Sequence, residues 1–176
     1  MIGRIRASGE GGLSLVELVV VLSIGGLLLA LAFNGQGLLA NRRLVGAARN
    51  LASDVRMLEQ RSRAERTCYR IVFDPAAETY TIDKYVGAVT RAPAGGGNQC
   101  TDAAAWQTAV IKDDPADTVS RRMPRGVEIT TTTFAQDTLV FSPTGNPNAG
   151  RATLQTPSGQ WRQVEVEVTG RVRILP

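Results

Sequence analysis

The run Leu13–Phe33, LSLVELVVVLSIGGLLLALAF, constrains this 176-residue chain more than any other feature. From Leu18 to Phe33 only Ser23 is polar. Counted from Leu13, the run makes about 30 Å of helix, the thickness of a bilayer's hydrocarbon core. It predicts a membrane-spanning helix. Arg4 and Arg6 precede it, so the positive-inside rule holds the first twelve residues in the cytoplasm and sends the rest across. A secretory signal carries small residues and its cut after the apolar run. Here FNGQGLLANRR follows the run, and the small, flexible GEGG precedes it. Glu17 is a carboxylate inside this apolar setting. Such a group is costly near a bilayer unless paired, so it predicts a cationic partner. The plainer alternative is a signal anchor whose Glu snorkels to the headgroups.

Gly25 and Gly26 fall mid-helix, where each costs roughly 1 kcal/mol relative to Ala. They either admit close helix packing, as small residues do in membranes, or let the helix loosen outside the bilayer. Asn34, Gly35 and Gly37 repeat that weakness at the membrane exit, where the helix is expected to flex. From Leu38 to Ala64 the pattern turns amphipathic. Leu44, Ala48, Leu51, Val55 and Leu58 alternate four- and three-residue steps and predict a stripe packed on a sheet. Arg42, Arg49, Arg56 and Arg63 recur every seven residues as a cationic line, solvated or facing another subunit, with Glu59 able to pair Arg63.

After Cys68 the period becomes two. YRIVF and TYTIDKYV predict a hairpin around Pro75. Further strands are read at WQTAVIK, VEITTTTF, TLVFS, RATLQT and WRQVEVEV, separated by turns such as SPTGNPNAG and TPSGQ. The stretch from Gly87 to Ala105 reads as a long loop needing a tether. Cys68 and Cys100 are the only thiols. In an exported protein they form one disulfide, worth about 3 to 4 kcal/mol in the chain-entropy model; in the cytosol they are two small buried hydrophobes.

Histidine is absent, which removes the commonest general base and zinc ligand. Two thiols alone cannot complete a zinc site. Ser142 lacks both a histidine and a nucleophile elbow, and Asp113, Asp114 and Asp117 lack the spacing of a calcium loop. No catalytic residue, metal site or cofactor is expected, and the chain is read as a non-enzyme. The 20 bases include only two Lys, Lys84 and Lys112; Arg suits bidentate recognition of phosphate or carboxylate, though a compositional bias explains the same skew.

The GG followed by LSLVELVVVLSIGGLLLALA resembles the class III leader and helix of type IV pilins and type II secretion pseudopilins. The segments RNLASDVRMLEQRSRAER, FDPAAETYTI and LVFSPTGNPNAGRATLQTPSGQWRQVEVEVTGRVRI resemble the GspH/FimT group of minor pilins. The resemblance implies an α+β, pilin-like fold, a long N-terminal helix on antiparallel β-sheets. It implies a leader over 1–12, an assembly and transmembrane helix over 13–36, an amphipathic helix over 37–66 and a β-rich extracytoplasmic head over 67–176. A prepilin peptidase would cut between Gly12 and Leu13, and Leu13 would be N-methylated, although the family usually has Phe there. Glu17 becomes the fifth mature residue, its partner the ammonium of its own chain one turn away or that of a neighbouring subunit. Implied partners are other pilins, the peptidase and the inner-membrane assembly platform. The implied place is the inner membrane, head in the periplasm, and then a pilus or pseudopilus. A non-assembling periplasmic anchor remains the alternative from another class.

The tail GRVRILP adds a further implication. FimT proteins of natural transformation use a C-terminal Gly-Arg-x-Arg motif in DNA binding, and Gly170, Arg171, Val172 and Arg173 match it. Alternation would set Val164, Val166, Val168, Val172 and Ile174 on one face and Arg171 and Arg173 on the other. Arg151 and Arg162 would extend a phosphate-binding patch. Glu165 and Glu167 share that outward face, and no exposed aromatic is evidently interleaved for stacking.

Overall fold

The structure is a computed structural model that describes residues 14–89, 100–109 and 120–176, with backbone only over 30–38. The chain divides into two units, Met1–Leu38 and Leu39–Pro176. Helix α1 runs Leu15–Glu65, its backbone continuing through Asn34–Gly37, where the sequence predicts flexure. It ends where Arg66 turns to a positive φ of 50°.

In the second unit the stripe Leu44, Ala48, Leu51, Val55 and Leu58 is buried throughout. It packs on two antiparallel sheets. The first joins β1 (Tyr69–Asp74), β2 (Thr79–Tyr85), β3 (Trp106–Thr108), β4 (Ser120–Arg122) and β6 (Thr138–Phe141) in the order β3-β2-β1-β6. Strand β4 pairs the Thr79–Thr81 end of β2, and β3 pairs its Asp83–Tyr85 end. The second sheet runs β5 (Glu128–Thr132), β7 (Gly150–Gln155), β8 (Trp161–Val166), β9 (Val172–Leu175). Inward residues alternate as the pleat requires: Tyr69, Ile71 and Phe73 in β1, Ala152 and Leu154 in β7, Val164 and Val166 in β8.

Cys68 and Cys100 are joined across 32 residues with Cα atoms 6.3 Å apart, and Tyr85 and Ala105 pack around them in a second, smaller core. The predicted hairpin is β1–β2, its turn held by Ala77 N donating to Asp74 Oδ1. Two readings need correction. Strand β4 has no counterpart in the predicted strands. Strand β8 stops at Val166 rather than Val168, because Glu167–Arg171 forms a turn with Gly170 at φ +84°. The last residues of WQTAVIK, from Val110, and Asp113, Asp114 and Asp117 lie outside the described residues.

Candidate functional site

At the start of α1, Ser14 Oγ accepts from Val16 N at 3.3 Å and Ser14 O accepts from Leu18 N at 3.1 Å. Ser14 is therefore the cap, and Glu17, three residues on, sits in the first turn, where backbone N–H groups favour an anion. The Ser-x-x-Glu spacing of Ser14 and Glu17 is the sequence sign of this helix start. Gly12 and Leu13 lie outside the described residues. From Leu18 to Leu29 every residue of the helix except Ser23 is apolar or glycine, on all sides. Leu15 is 79% exposed and Val20, the least exposed large apolar residue of the stretch up to Leu29, is 49%. A helix apolar all round belongs in a core or a membrane. Among the described residues no helix is long and apolar enough to cross a membrane. The described side chains of the run stop at Leu29, short of the roughly 20 residues a crossing needs.

The second candidate surface is the outward face of the β7-β8-β9 sheet. Register places Arg151 opposite Glu165 and Glu165 opposite Arg173. Arg151 Nε lies 3.0 Å from Glu165 Oε1, and Arg173 Nη2 lies 3.1 Å from Glu167 Oε1. The face alternates in sign instead of forming a cationic patch. Arg171 is exposed and takes no ion-pair partner among the described residues, but it stands in the turn, so it does not share a strand face with Arg173. Arg162 faces the other way, opposite Leu154 in register, and donates to Trp161 O at 2.9 Å. Val168 is 64% exposed in the same turn and leaves the face expected of it, whereas register sets Val172 opposite Val166 and Ile174 opposite Val164 on that face, with Ile174 39% exposed at the sheet's edge. Gly170 has a further reason to be glycine, since a Cβ there would crowd the Glu59 carboxylate.

The arginine line of α1 is partly consumed within the molecule. Arg56 donates to Val172 O at 3.4 Å and Arg63 to Thr144 O at 3.1 Å, while Arg63 also pairs Glu59 at 2.7 Å. Arg42 and Arg49 remain exposed. Inside, Asp54 is buried and accepts from Tyr80 Oη at 2.6 Å, with Arg121 Nε 3.1 Å away. This network ties β4 to the helix. An acid set among Leu51, Val55 and Leu58 is the sequence sign of it. Burial, reinforced by the Asp54 carboxylate, pushes the Tyr80 phenol well above its ordinary value. Burial and the bond to Glu65 do the same for Tyr69. Burial alone would raise Glu65, but the hydrogen bonds from Lys84 and Tyr69 and the Lys84 charge outweigh it and leave its carboxyl below the usual range. No group of His, Cys, Asp and Glu among the described residues is placed to hold a metal.

One long N-terminal helix whose second half lies on two antiparallel sheets is a pilin-like α+β fold. No family model matches the chain, and no curated protein matches it in sequence. The fold is similar to the minor pseudopilin EpsH of the type 2 secretion system of Vibrio cholerae. One structure of it gives a TM-score of 0.57 at 12% identity, covering 76% of this chain and 96% of that one; a second gives 0.54 at 12% identity, covering 76% and 94%. It is also similar to the type IV minor pilin FimU of Pseudomonas aeruginosa PAO1, with a TM-score of 0.51 at 13% identity, covering 77% and 90%.

Proposed function

We propose that this chain is a minor pseudopilin or minor pilin subunit. It is made as an inner-membrane precursor with its head in the periplasm, cut between Gly12 and Leu13, and N-methylated at Leu13. It then assembles near the tip of a short filament serving secretion or pilus biogenesis. The observation that carries this reading is the surface of Leu15–Leu29, large apolar side chains exposed around the whole helix. That surface needs cover from outside the chain: lipid before assembly, neighbouring helices after it. Glu17 is suited to both settings. In the precursor-derived monomer the helix N-terminus offsets its charge. In the filament it accepts the ammonium of an adjacent subunit and so sets the stagger. The partners are other pilins, the prepilin peptidase and the assembly platform, and the work is mechanical, with no enzymatic step.

Intact mass of the protein purified from host membranes tests the processing, and sheared filaments from wild type and Glu17→Ala test the assembly. A chain beginning at methylated Leu13, with incorporation lost in the variant, is the expected result. An uncut Met1 chain would instead make this a signal anchor that never assembles.

A second reading, a DNA receptor at the filament tip, is favoured by Arg171 alone, whose guanidinium stands exposed beside Gly170. Arg151 and Arg173 reach phosphates only by giving up Glu165 and Glu167. Gel-shift affinity unchanged by Arg171→Ala and Arg173→Ala together removes this reading.

A further inference from the structure

The two sheets of the second unit treat their edges differently. The outer edge of β6 is closed by its own chain: Asn148 N donates to Val140 O at 3.1 Å, Asn148 Oδ1 accepts from Val140 N at 2.7 Å, and Asn148 Nδ2 donates to Thr138 O at 3.0 Å. The β5 edge is broken by a shift of register between Ile129 and Thr131. Strand β9 is neither closed nor broken. Its pairing with β8 is regular from Val172 to Leu175, and the bond from Glu167 N to Arg171 O sets its phase. Alternation then turns the backbone groups of Arg171, Arg173 and Leu175 toward β8 and those of Val172 and Ile174 outward. Arg56 Nη2 donates to Val172 O at 3.4 Å from that outward side. Among the described residues Val172 N and Ile174 N meet no backbone acceptor, and Ile174 is partly exposed.

Cations border this edge. Arg56 reaches Val172, and Asn41 shares a hollow with Pro176, so β9 runs antiparallel to α1. Arg49, about 10 Å before Arg56 on the same line of the helix, comes level with the Ile174 end of β9. Arg173 stands on the strand's other face and Arg171 at its start. Arg49 and Arg171 are exposed and pair with no acid among the described residues. The acids nearest the edge are engaged: Glu167 with Arg173 at 3.1 Å, Glu165 with Arg151 at 3.0 Å and Glu59 with Arg63 at 2.7 Å. Asp54, the one acid of α1 between Leu39 and Leu58, lies about 200° round the helix from Arg56 and faces Tyr80. Asp74 and Glu78 belong to the first sheet on that side, and Glu128 lies on β5, the opposite edge of the second sheet. A regular edge with outward amides is a template for an added strand. A second copy would set arginines against arginines, so the charge selects a different, acidic occupant. We propose that β9 accepts an extended, acid-bearing segment of another protein as an added strand, its backbone pairing with Val172 and Ile174 and its carboxylates meeting Arg49 and Arg171. The docking needs no filament, so its failure leaves the function proposed above standing.

The test uses the full chain in detergent micelles and a short fluorescein-labelled peptide of Val and Glu, with Glu on both faces of the extended chain. Fluorescence anisotropy reads binding, and NMR reads hydrogen exchange of single backbone amides. The peptide is expected to bind and to slow exchange at Val172 and Ile174, while Arg173 and Leu175, already bonded to β8, stay as they were. The same peptide N-methylated throughout keeps its charge and loses its amide donors, and it should lose binding. Arg49→Gln and Arg171→Gln, both at exposed side chains, should each weaken binding about threefold. Arg122→Gln, on the first sheet, should change nothing. An N-methylated peptide that binds as tightly as its parent overturns the docking and makes the edge a general anion patch. Slow exchange at Val172 and Ile174 without peptide also overturns it, because the edge is then covered within the chain. A parent peptide that does not bind overturns it as well, and makes the arginines guards that keep β9 from pairing.

Discussion

Two fifteen-residue stretches of α1, Leu15–Leu29 and Leu44–Leu58, share a backbone and differ in everything their side chains do. In the second, apolar residues recur at three- and four-residue steps, and the sheets of the same chain bury them almost completely. In the first, apolar residues are continuous, no single face is distinguished, and all of them stand exposed. A sheet covers one face of a helix and never all of it. The periodic stretch therefore folds the second unit, while on the function proposed above it is lipid or other subunits that cover the continuous stretch.

Single truncations should separate the two stretches sharply. Leu51→Ala, at a side chain 1% exposed, is expected to cost about 3 to 5 kcal/mol in denaturant unfolding of the full chain in detergent, followed by tryptophan fluorescence. Leu22→Ala, at a side chain 66% exposed, should stay within about 0.5 kcal/mol in the same assay. Comparable losses at both positions would mean that the first stretch also packs within the monomer. Next in size is the Cys68–Cys100 bridge. Reduction should remove about 3 to 4 kcal/mol from the second unit and leave the helicity contributed by Leu15–Leu29 unchanged in circular dichroism.

The same contrast explains what the sequence reveals. Periodicity reports which face of an element is apolar, so the stripe from Leu44 to Leu58 and the β1–β2 hairpin are legible residue by residue. It does not report what covers a polar face. The line Arg42, Arg49, Arg56, Arg63 is visible in sequence, yet only the fold shows that Arg56 and Arg63 spend their donors on the carbonyls of Val172 and Thr144. Strand β4, Ser-Arg-Arg, carries no alternation and is held by Arg121 on Asp54, a pairing 67 positions apart that no local pattern encodes. Alternation also fails across a turn. Extending the valine series of β8 through Val168 to the tail ignores Gly170, whose positive φ ends one strand before the next begins.

Ionisable groups give a smaller and pH-dependent version of the comparison, because the second half of α1 bonds its acids into the sheets. Tyr69 and Tyr80 have folded-state pKa values raised above the unfolded value near 10. Their stabilisation is complete below pH 10 and is lost as pH rises beyond it, because the unfolded chain releases phenolic protons that the folded one retains. Urea midpoints should fall above pH 10, and Tyr80→Phe should flatten part of that fall. Glu65 has the opposite sign. Its folded pKa is lowered, so its contribution is present above the ordinary carboxyl value of 4.5 and is lost as pH falls through the folded value. Its partial exposure keeps this acid limb shallow, and Glu65→Gln should remove it.

The glycines of α1 supply the smallest effect and the most discriminating one. A Cβ at Gly25, Gly26 or Gly46 would meet nothing within 4 Å, so alanine at any of them should strengthen the helix by up to about 1 kcal/mol. Gly145 lies outside the helix at φ +82°, where a Cβ would overlap the Arg63 side chain, and there alanine should destabilise. In the monomer, then, Gly25 and Gly26 look like pure loss, the same as Gly46. The difference should appear only on assembly. Open glycines on a helix apolar all round let another helix approach closely, and methyl groups would hold it off. Gly25→Ala with Gly26→Ala should therefore raise monomer helicity and lower incorporation into sheared filaments, whereas Gly46→Ala should raise helicity and leave incorporation intact. If incorporation instead survives in the double variant, close packing is excluded as the reason for these glycines. The surface of Leu15–Leu29 would then meet its partners through the leucines and valines around them.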